Sequence, residues 1–496
     1  MPKFLRCFMI IFCKRVVFCL GLMASVLFGG CKSEDDEPFS GIKFSGADYY
    51  VSAESSVDIT ATFFKDDAAD LSAVINFSIV DGSDSTGGAS LSAFSAKSGE
   101  AVSVTVGNVA GGTVKIKAEC NGFTAFKGIC VGLSDQISLS DRPLGFASLG
   151  VDMSKMTKTV EVSSSSALKS YAKTGGYVIY VKGEIDMSEG MLPAEGSKST
   201  DSTSKLDSFI ASYYASSDTK YTSYSDWMKA RTNVPSGEDK YPDKSLSNKY
   251  KGVVQISVAS NTAIIGMEGA SIRGGTFSVN STNVVIRNIH LKDAVDPFPE
   301  HQKNDGWNAQ HDLIGIEGGK NIWIDHCTFE DTLTLGYAAN GEKWQVYDGL
   351  CDMKSTATNI TVSRCVFKNH DKTMLIGSSD SDGASDPTAR KISLIANYWL
   401  NCGQRCPMVR NSLCHVLNNV YASDSGRVYS SQSSINARAG STVCAESNWF
   451  GNVASPSVGG GLISNKPDST FNPADFYDYA KYSSKDEVME DAGAGK

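Results

Sequence analysis

Between Asp348 and Arg410 the chain gathers ionisable residues of both signs. Asp348-Gly-Leu-Cys-Asp352 is followed by Asn369-His370-Asp371-Lys372 and then by Gln404-Arg405-Cys406-Pro407-Met408-Val409-Arg410. Two carboxylates four residues apart offer hard oxygen ligands, whereas a lysine and two arginines offer donors for anions. The composition is that of a metal site beside an anion site. Its parts lie tens of residues apart in sequence, so the fold has to bring them together.

The elements available for this are short and regular. From Ile256 onward a run of β-branched and apolar residues recurs with a small polar residue and then an aromatic, as in Asn283-Val-Val-Ile-Arg-Asn288, Asn321-Ile-Trp-Ile-Asp-His-Cys327 and Asn359-Ile-Thr-Val-Ser-Arg-Cys365. Aligned at Ile289, Cys327, Cys365, Asn397, Asn419 and Asn448, the runs are separated by 38, 38, 32, 22 and 29 residues. A constant strand core with variable spacing is the signature of stacked coils whose loops differ in length. The expectation is an all-β protein built on a parallel β-helix over residues 140–480. Such close strands leave no room for the crossover helices of a doubly wound α/β fold. Asn397, Asn419 and Asn448 should form a side-chain amide ladder, with Cys365 and Cys327 continuing the row. Asp312 then falls one coil before Asp348 and Asp352 and can join them. Three carboxylates so placed repel one another unless protonated or bridged by a cation, and a flexible oxygen site suits Ca²⁺.

The remaining segments read as additions to this stack. Residues 41–135 alternate apolar and polar steps, as in Val57-Asp-Ile-Thr-Ala-Thr-Phe63 and Val114-Lys-Ile-Lys-Ala118, which predicts a small immunoglobulin-like β-sandwich serving as spacer or weak binding module. The coil domain opens near Pro143, with a short helix over 167–172 and a strand over 177–181. Residues 186–250 interrupt the pattern as a partly helical insertion. Leu206, Phe209, Ile210, Tyr213 and Tyr214 fall at helical spacing, Ser204 and Asp207 resemble a capping box, and the tyrosines are expected to pack rather than line a sugar site. Residues 481–496 form a polar, acidic tail expected to fray.

Length and charge narrow the class further. A chain of 496 residues suits two domains with tails, and a net charge of −9 argues against nucleic acid or an acidic membrane as partner. Residues 1–30 carry Lys3, Arg6, Lys14 and Arg15, then an apolar run from Val16 to Phe28 that is too short to span a bilayer comfortably. With Gly29-Gly30-Cys31 this resembles a bacterial lipoprotein signal, and the acidic linker at 31–40 resembles the mark of surface-exposed outer-membrane lipoproteins. Membrane attachment is expected only through a lipid on Cys31, with the protein otherwise a monomer. Of 13 cysteines, nine remain beyond Cys31 and none has the paired spacing of a zinc site. In an exported protein Cys120 and Cys130 can pair.

Four motifs in this order, Trp323-Ile-Asp-His326, Asp348-x3-Asp352, His370-Asp-Lys-Thr-Met-Leu-Ile-Gly377 and Arg405-x-Pro407-x2-Arg410, resemble the pectate lyases of polysaccharide lyase family 1. The similarity implies a right-handed parallel β-helix and a Ca²⁺-dependent β-elimination on de-esterified homogalacturonan. It implies that Asp312, Asp348 and Asp352 hold Ca²⁺ against a galacturonate carboxylate and that Arg405 removes the C5 proton. Lys372 is assigned to the substrate carboxylate and Arg410 to a neighbouring uronate, with Lys354 a further candidate for the same electrostatic work. Gln310 stands where relatives carry another acid, and Asp325 with His326 is read as structural. A guanidinium base is normally protonated, so nearby cations and exclusion of water must favour its neutral form, and an alkaline optimum is expected. A glycosidase pair is disfavoured, since it needs one carboxyl kept neutral. Two alternatives remain: a pectin lyase acting on the methyl-esterified polymer, and a non-catalytic β-helix that binds pectin at the cell surface.

Overall fold

The computed structural model describes residues 39–494 except 46–49, 52–53, 110–111, 132–142, 144, 198–200, 233–243, 303–305, 334–336, 340–341, 425–432, 452, 454–456, 459–461 and 465–483. The signal segment, Cys31 and most of the acidic linker lie outside the described residues.

Three parallel sheets wrap around one apolar interior. The first has ten strands, from Lys158–Val162 to Leu462–Ser464; the second has eight, from Glu184–Asp186 to Trp449–Phe450; the third has eight, from Gln255–Ser257 to Ser457–Val458. Neighbouring coils pair in register, so like side chains stack. In the first sheet Ile286, Ile324, Val362, Leu394, Val416 and Ala445 form one column. In the second, Phe329, Phe367, Trp399, Tyr421 and Phe450 stack with ring centroids 4.4–5.7 Å apart. The interior is apolar, mostly aliphatic with an aromatic column along the second sheet, and its burial is the main stabilising term of the stack.

The bend between the first and second sheets repeats the same chemistry on every coil. Asn288, His326, Arg364, Ala396, Asn418 and Ser447 all take φ between 48° and 56°, a left-handed conformation that costs a non-glycine residue about 1–2 kcal/mol. All but Asn288, which precedes Ile289, stand directly before a residue of the Cys and Asn row. Asn397 Oδ1 accepts from the Cys365 amide at 2.9 Å, Asn419 Oδ1 from Asn397 at 3.0 Å, and Asn448 Oδ1 from Asn419 at 2.9 Å. The row ends as expected in Cys365, whose Sγ accepts from the Cys327 amide at 3.4 Å. Backbone groups that would otherwise be buried without partners at the bend are thereby satisfied.

The N-terminal unit consists of two five-stranded sheets enclosing Ile59, Phe63, Phe77, Val104, Ile116 and Ile129. The expected Cys120–Cys130 disulfide is absent, and Cys120 is a buried free thiol. In the hairpin Thr113–Cys120 with Phe123–Val131, Cys120 faces Phe123 whereas Cys130 faces Thr113. The two cysteines therefore sit at opposite ends of a ladder about 23 Å long.

Among the described residues the insertion contributes the helices Ser204–Tyr213, Tyr224–Thr232 and Lys244–Val254. The first is capped by Thr203, whose hydroxyl accepts from the Leu206 amide at 3.2 Å, so the cap stands one residue before the expected Ser204. The tyrosines pack, as expected: Tyr214, Tyr224 and Tyr250 join Trp227, Phe298, Trp307 and Trp344 in a second apolar core. This core braces the loops that carry Asn308 and lead into Asp348. The tail also differs from expectation, because Lys485–Asp491 is a helix rather than a frayed end. Its Val488 is fully buried, and Asp491 Oδ2 pairs with Arg364 Nε at 3.3 Å.

Candidate active site

The acidic residues lie where chain enters the third sheet on successive coils. Asp312 precedes the strand Ile314–Glu317, and Asp352 lies in Cys351–Lys354 on the next coil, with Gly315 opposite Asp352. Backbone amides aim the carboxylates: Gly349 donates to Asp312 Oδ1 at 2.9 Å and Leu375 to Asp352 Oδ1 at 2.9 Å. Gly349 has a steric reason to be glycine. A Cβ there would stand 2.4 Å from Asp352 Oδ1 and 2.8 Å from Asp312 Oδ1, filling the space the acids surround. Asp348, one residue earlier and one-fifth exposed, closes the cluster on its open side.

These acids carry more negative charge than their surroundings neutralise. Burial, then Asp352, then Asp348 push the Asp312 carboxyl up to about 8, and burial is likewise the first cause raising Asp352. Lys354 is the internal counter-charge, with Nζ 3.3 Å from Asp312 Oδ2 and 3.1 Å from Asp352 Oδ2. Although burial opposes its charge, Asp352 and Asp312 hold the Lys354 ammonium firmly protonated. The side chain therefore points into the acidic cluster, and its job is to neutralise protein carboxylates rather than to reach toward a ligand. Even with Lys372 3.3 Å from Asp348, two ammonium groups do not offset three carboxylates, and the hard oxygen donor set fits a divalent cation such as Ca²⁺.

The cationic side occupies the next two coils. Lys372, at the end of Val366–Lys372, is 7% exposed and lies 3.3 Å from Asp348 Oδ1 while donating to Asn308 Oδ1. His370 on the same strand lies 2.6 Å from Asp331 Oδ2 through Nδ1 and 2.7 Å from the Asp348 carbonyl through Nε2. Both acceptors lack protons when Asp331 is ionised, so both ring nitrogens must donate and the ring is an imidazolium. Burial opposes that charge, but Asp331 and the carbonyl carry His370 up to about 9. The motif contained His370 without a role; here it pins the backbone of Asp348. Its partner Asp331 lies 39 residues earlier, one coil back, a step of the length that the strand spacing already contained.

Arg405 follows the strand Tyr398–Gln404 at φ 59°, just before a cis Cys406–Pro407 bond. Its backbone is anchored, since Thr373 and Met374 donate to the carbonyls of Gln404 and Arg405 at 3.0 and 2.7 Å. Its side chain is half-buried, and among the described residues the buried Nε has no hydrogen-bond partner. Arg410 is more committed: Nε donates to Asp380 Oδ1 at 2.8 Å and Nη1 to the Gly377 carbonyl at 3.1 Å. Asp380 is 60% exposed, so the ion pair is open to solvent and weakly held. The expected residues thus lie along one edge of the stack, spread over four successive coils that are about 4.8 Å apart.

Asp325 and His326 stand apart from this cleft. Asp325 is fully buried and pairs with Arg287 at 3.0 Å, Arg364 at 3.2 Å and His326 Nδ1 at 2.7 Å. Burial alone would raise its carboxyl, but these three cations hold it well below the usual carboxylate range. The group is a closed electrostatic knot tying the stack to the C-terminal helix.

The chain matches the family model described as pectate lyase over residues 190–485. Among curated relatives, a Bacillus subtilis pectate lyase is 37% identical over 266 residues, covering 52% of this chain and 60% of its own length. Pectate lyase E of Dickeya chrysanthemi is 32% identical over 306 residues, covering 59% of this chain and 69% of its own. Among solved structures, a mutant of Bacillus subtilis pectate lyase superposes with a TM-score of 0.50 at 27% identity, covering 73% of this chain and 100% of that one. A pectate lyase bound to a hexasaccharide gives a TM-score of 0.50 at 26% identity, covering 73% and 99%.

Proposed function

The chain belongs to the pectate lyase family, and on that footing we propose that it cleaves de-esterified homogalacturonan by Ca²⁺-dependent β-elimination, with Arg405 as the base. The observation that carries the reading is the charge arrangement of one cleft. Asp312, Asp348 and Asp352 leave negative charge uncompensated at one end, and Lys372, Arg405 and Arg410 follow at the other. A polymer of uronates bridged to the protein by a divalent cation complements both ends.

Asp312, Asp348 and Asp352 would hold a bound Ca²⁺, with Gly349 keeping the space open and Lys354 limiting repulsion in its absence, and the charge of the ion beside the uronate carboxylate would acidify the C5 hydrogen of that sugar. Lys372, oriented by Asn308 and Asp348, faces the same uronate carboxylate and stabilises the charge that develops on it. Arg405 takes the C5 proton on its guanidine. The C5–H electron pair becomes the C4–C5 double bond, and the C4–O bond breaks with its electrons leaving on the glycosidic oxygen, which then takes a proton. Arg410 exchanges the solvent-exposed Asp380 for a neighbouring uronate carboxylate. A guanidine base accepts a proton only when neutral, so the activity optimum is expected on the alkaline side.

Ultraviolet absorbance of the unsaturated product tests this directly. The expected result is a rise with polygalacturonate and Ca²⁺, loss of that rise with chelator, and little rise on highly esterified pectin. A chelator-insensitive rise on esterified pectin would favour a pectin lyase. No rise on either polymer from folded protein would overturn the enzymatic reading and leave a pectin-binding β-helix. The lipoprotein reading rests on the apolar run before Cys31, and Cys31→Ser is expected to release the protein from the membrane fraction.

A further inference from the structure

A second group of ligand-type side chains lies on the outer face of the first sheet, among the last coils. His415 and Cys444 are register partners on adjacent coils, and Glu446 follows two residues along the strand Thr442–Glu446, so all three project from one face. His415 Nε2 lies 2.8 Å from Glu446 Oε1, and Cys444 Sγ lies 3.3 Å from the same oxygen. The imidazole, thiol and carboxylate atoms all fall within 4.8 Å of one another. His415 and Cys444 are buried, the thiol beneath Phe146 and Leu413, whereas the Glu446 side chain is 15% exposed and borders solvent.

We propose that His415, Cys444 and Glu446 form a binding site for a borderline transition-metal ion of the Zn²⁺ type. Zinc bonds of about 2.3 Å to sulfur and 2.0–2.2 Å to nitrogen and oxygen place tetrahedral ligands about 3.3–3.7 Å from one another. Two of the three separations, 2.8 and 3.3 Å, lie at or just below that spacing and the third is no more than 4.8 Å, so binding needs side-chain shifts of about an ångström. Three protein ligands leave a fourth position for water or another ligand. The donor set separates this site from the cleft: a thiolate and an imidazole select a soft or borderline ion, while Ca²⁺ takes six to eight oxygens. The ion displaces the thiol proton and the proton between His415 and Glu446, so affinity rises with pH. Since His415 lies one coil before Cys444 and Glu446, the ion clips two coils together. The site was hidden in sequence because 29 residues separate His415 from Cys444, a coil step rather than the tight spacing of a zinc motif.

Co²⁺ titration of the intact chain, with thiols reduced beforehand, tests the proposal. One equivalent of Co²⁺ should give a thiolate-to-cobalt charge-transfer absorption that Zn²⁺ abolishes and excess Ca²⁺ leaves in place. Cys444→Ser should eliminate the band. Glu446→Gln keeps the side chain's volume and should weaken binding by about tenfold or more, with circular dichroism confirming that each variant is folded. Zn²⁺ should raise the thermal midpoint of the wild type and not that of Glu446→Gln. Folded wild-type protein with no charge-transfer band, or a band that persists in Cys444→Ser, overturns the site.

Discussion

Two charged clusters on the same coil stack show how similar residues serve different ends. Around Asp325, one buried carboxylate meets Arg287, Arg364 and His326, and Asp491 of the C-terminal helix adds a second carboxylate against His326 and Arg364. Around Asp352, three carboxylates meet two ammonium groups, Lys354 on Asp312 and Asp352 and Lys372 on Asp348, and burial raises Asp312 and Asp352 instead of lowering them. The first cluster is complete within the protein and has nothing left to bind. The second is complete only with another cation. Unfinished electrostatics, rather than the presence of Asp, His and Arg, marks the functional edge.

The sharpest break between them comes from Arg405→Ala. It should lower kcat by ~10⁴-fold, about 5.5 kcal/mol in the barrier, with little change in thermal midpoint. Among the described residues Arg405 Nε has no hydrogen-bond partner, so a large loss of midpoint in the melt would move Arg405 into the structural class. Asp325→Asn is the converse. It strands buried cations and should cost about 3–5 kcal/mol of stability in denaturant unfolding, while the protein that remains folded keeps its kcat/KM. A selective loss of kcat would erase the distinction.

Acidity sharpens the comparison at the next level. The Asp312 carboxyl is raised in the folded metal-free protein from 3.8 to about 8. A raised folded value means that folding favours the protonated form. This group's contribution to stability is therefore full below about pH 4 and lost as pH rises through about 8. Calcium needs the ionised form, so its affinity should rise about tenfold per pH unit below 8 for each proton released, then level off. Calorimetry in buffers of different ionisation enthalpy counts those protons. An affinity independent of pH between 6 and 8 would contradict the raised carboxyls. Lys354→Met is the smallest change: removing the internal counter-charge should tighten Ca²⁺ binding by about tenfold, ~1.4 kcal/mol, whereas weaker binding would show that Lys354 supports the ion instead.

The stack itself was legible because its strands carry a constant core and its ladder residues recur, so Asn397, Asn419 and Asn448 could be aligned without coordinates. Asp312, Asp348, Asp352, Lys372, Arg405 and Arg410 were legible as types and were grouped by motif order. What could not be read was side-chain direction. Lys354 turns into the acids, Arg410 lies on Asp380, and His370 reaches back one coil to Asp331. Such partners are set by register between coils whose lengths vary with their loops, so no fixed spacing announces them. The same cause hid His415 beside Cys444. The Cys120–Cys130 pairing failed for a related reason, since the tight turn follows Cys120 directly instead of falling midway between the two cysteines, which leaves them at opposite ends of the hairpin.

The central claim is that the cleft is an unfinished cation site and the Asp325 knot a finished one. A calorimetric titration of Ca²⁺ into the intact chain at pH 8, with Asp352→Asn and Asp325→Asn alongside, tests it most directly. The account predicts saturable binding with proton release in wild type, unchanged binding in folded Asp325→Asn, and affinity at least a hundredfold weaker, about 2.7 kcal/mol, in Asp352→Asn. Equal calcium affinity in wild type and Asp352→Asn would contradict it.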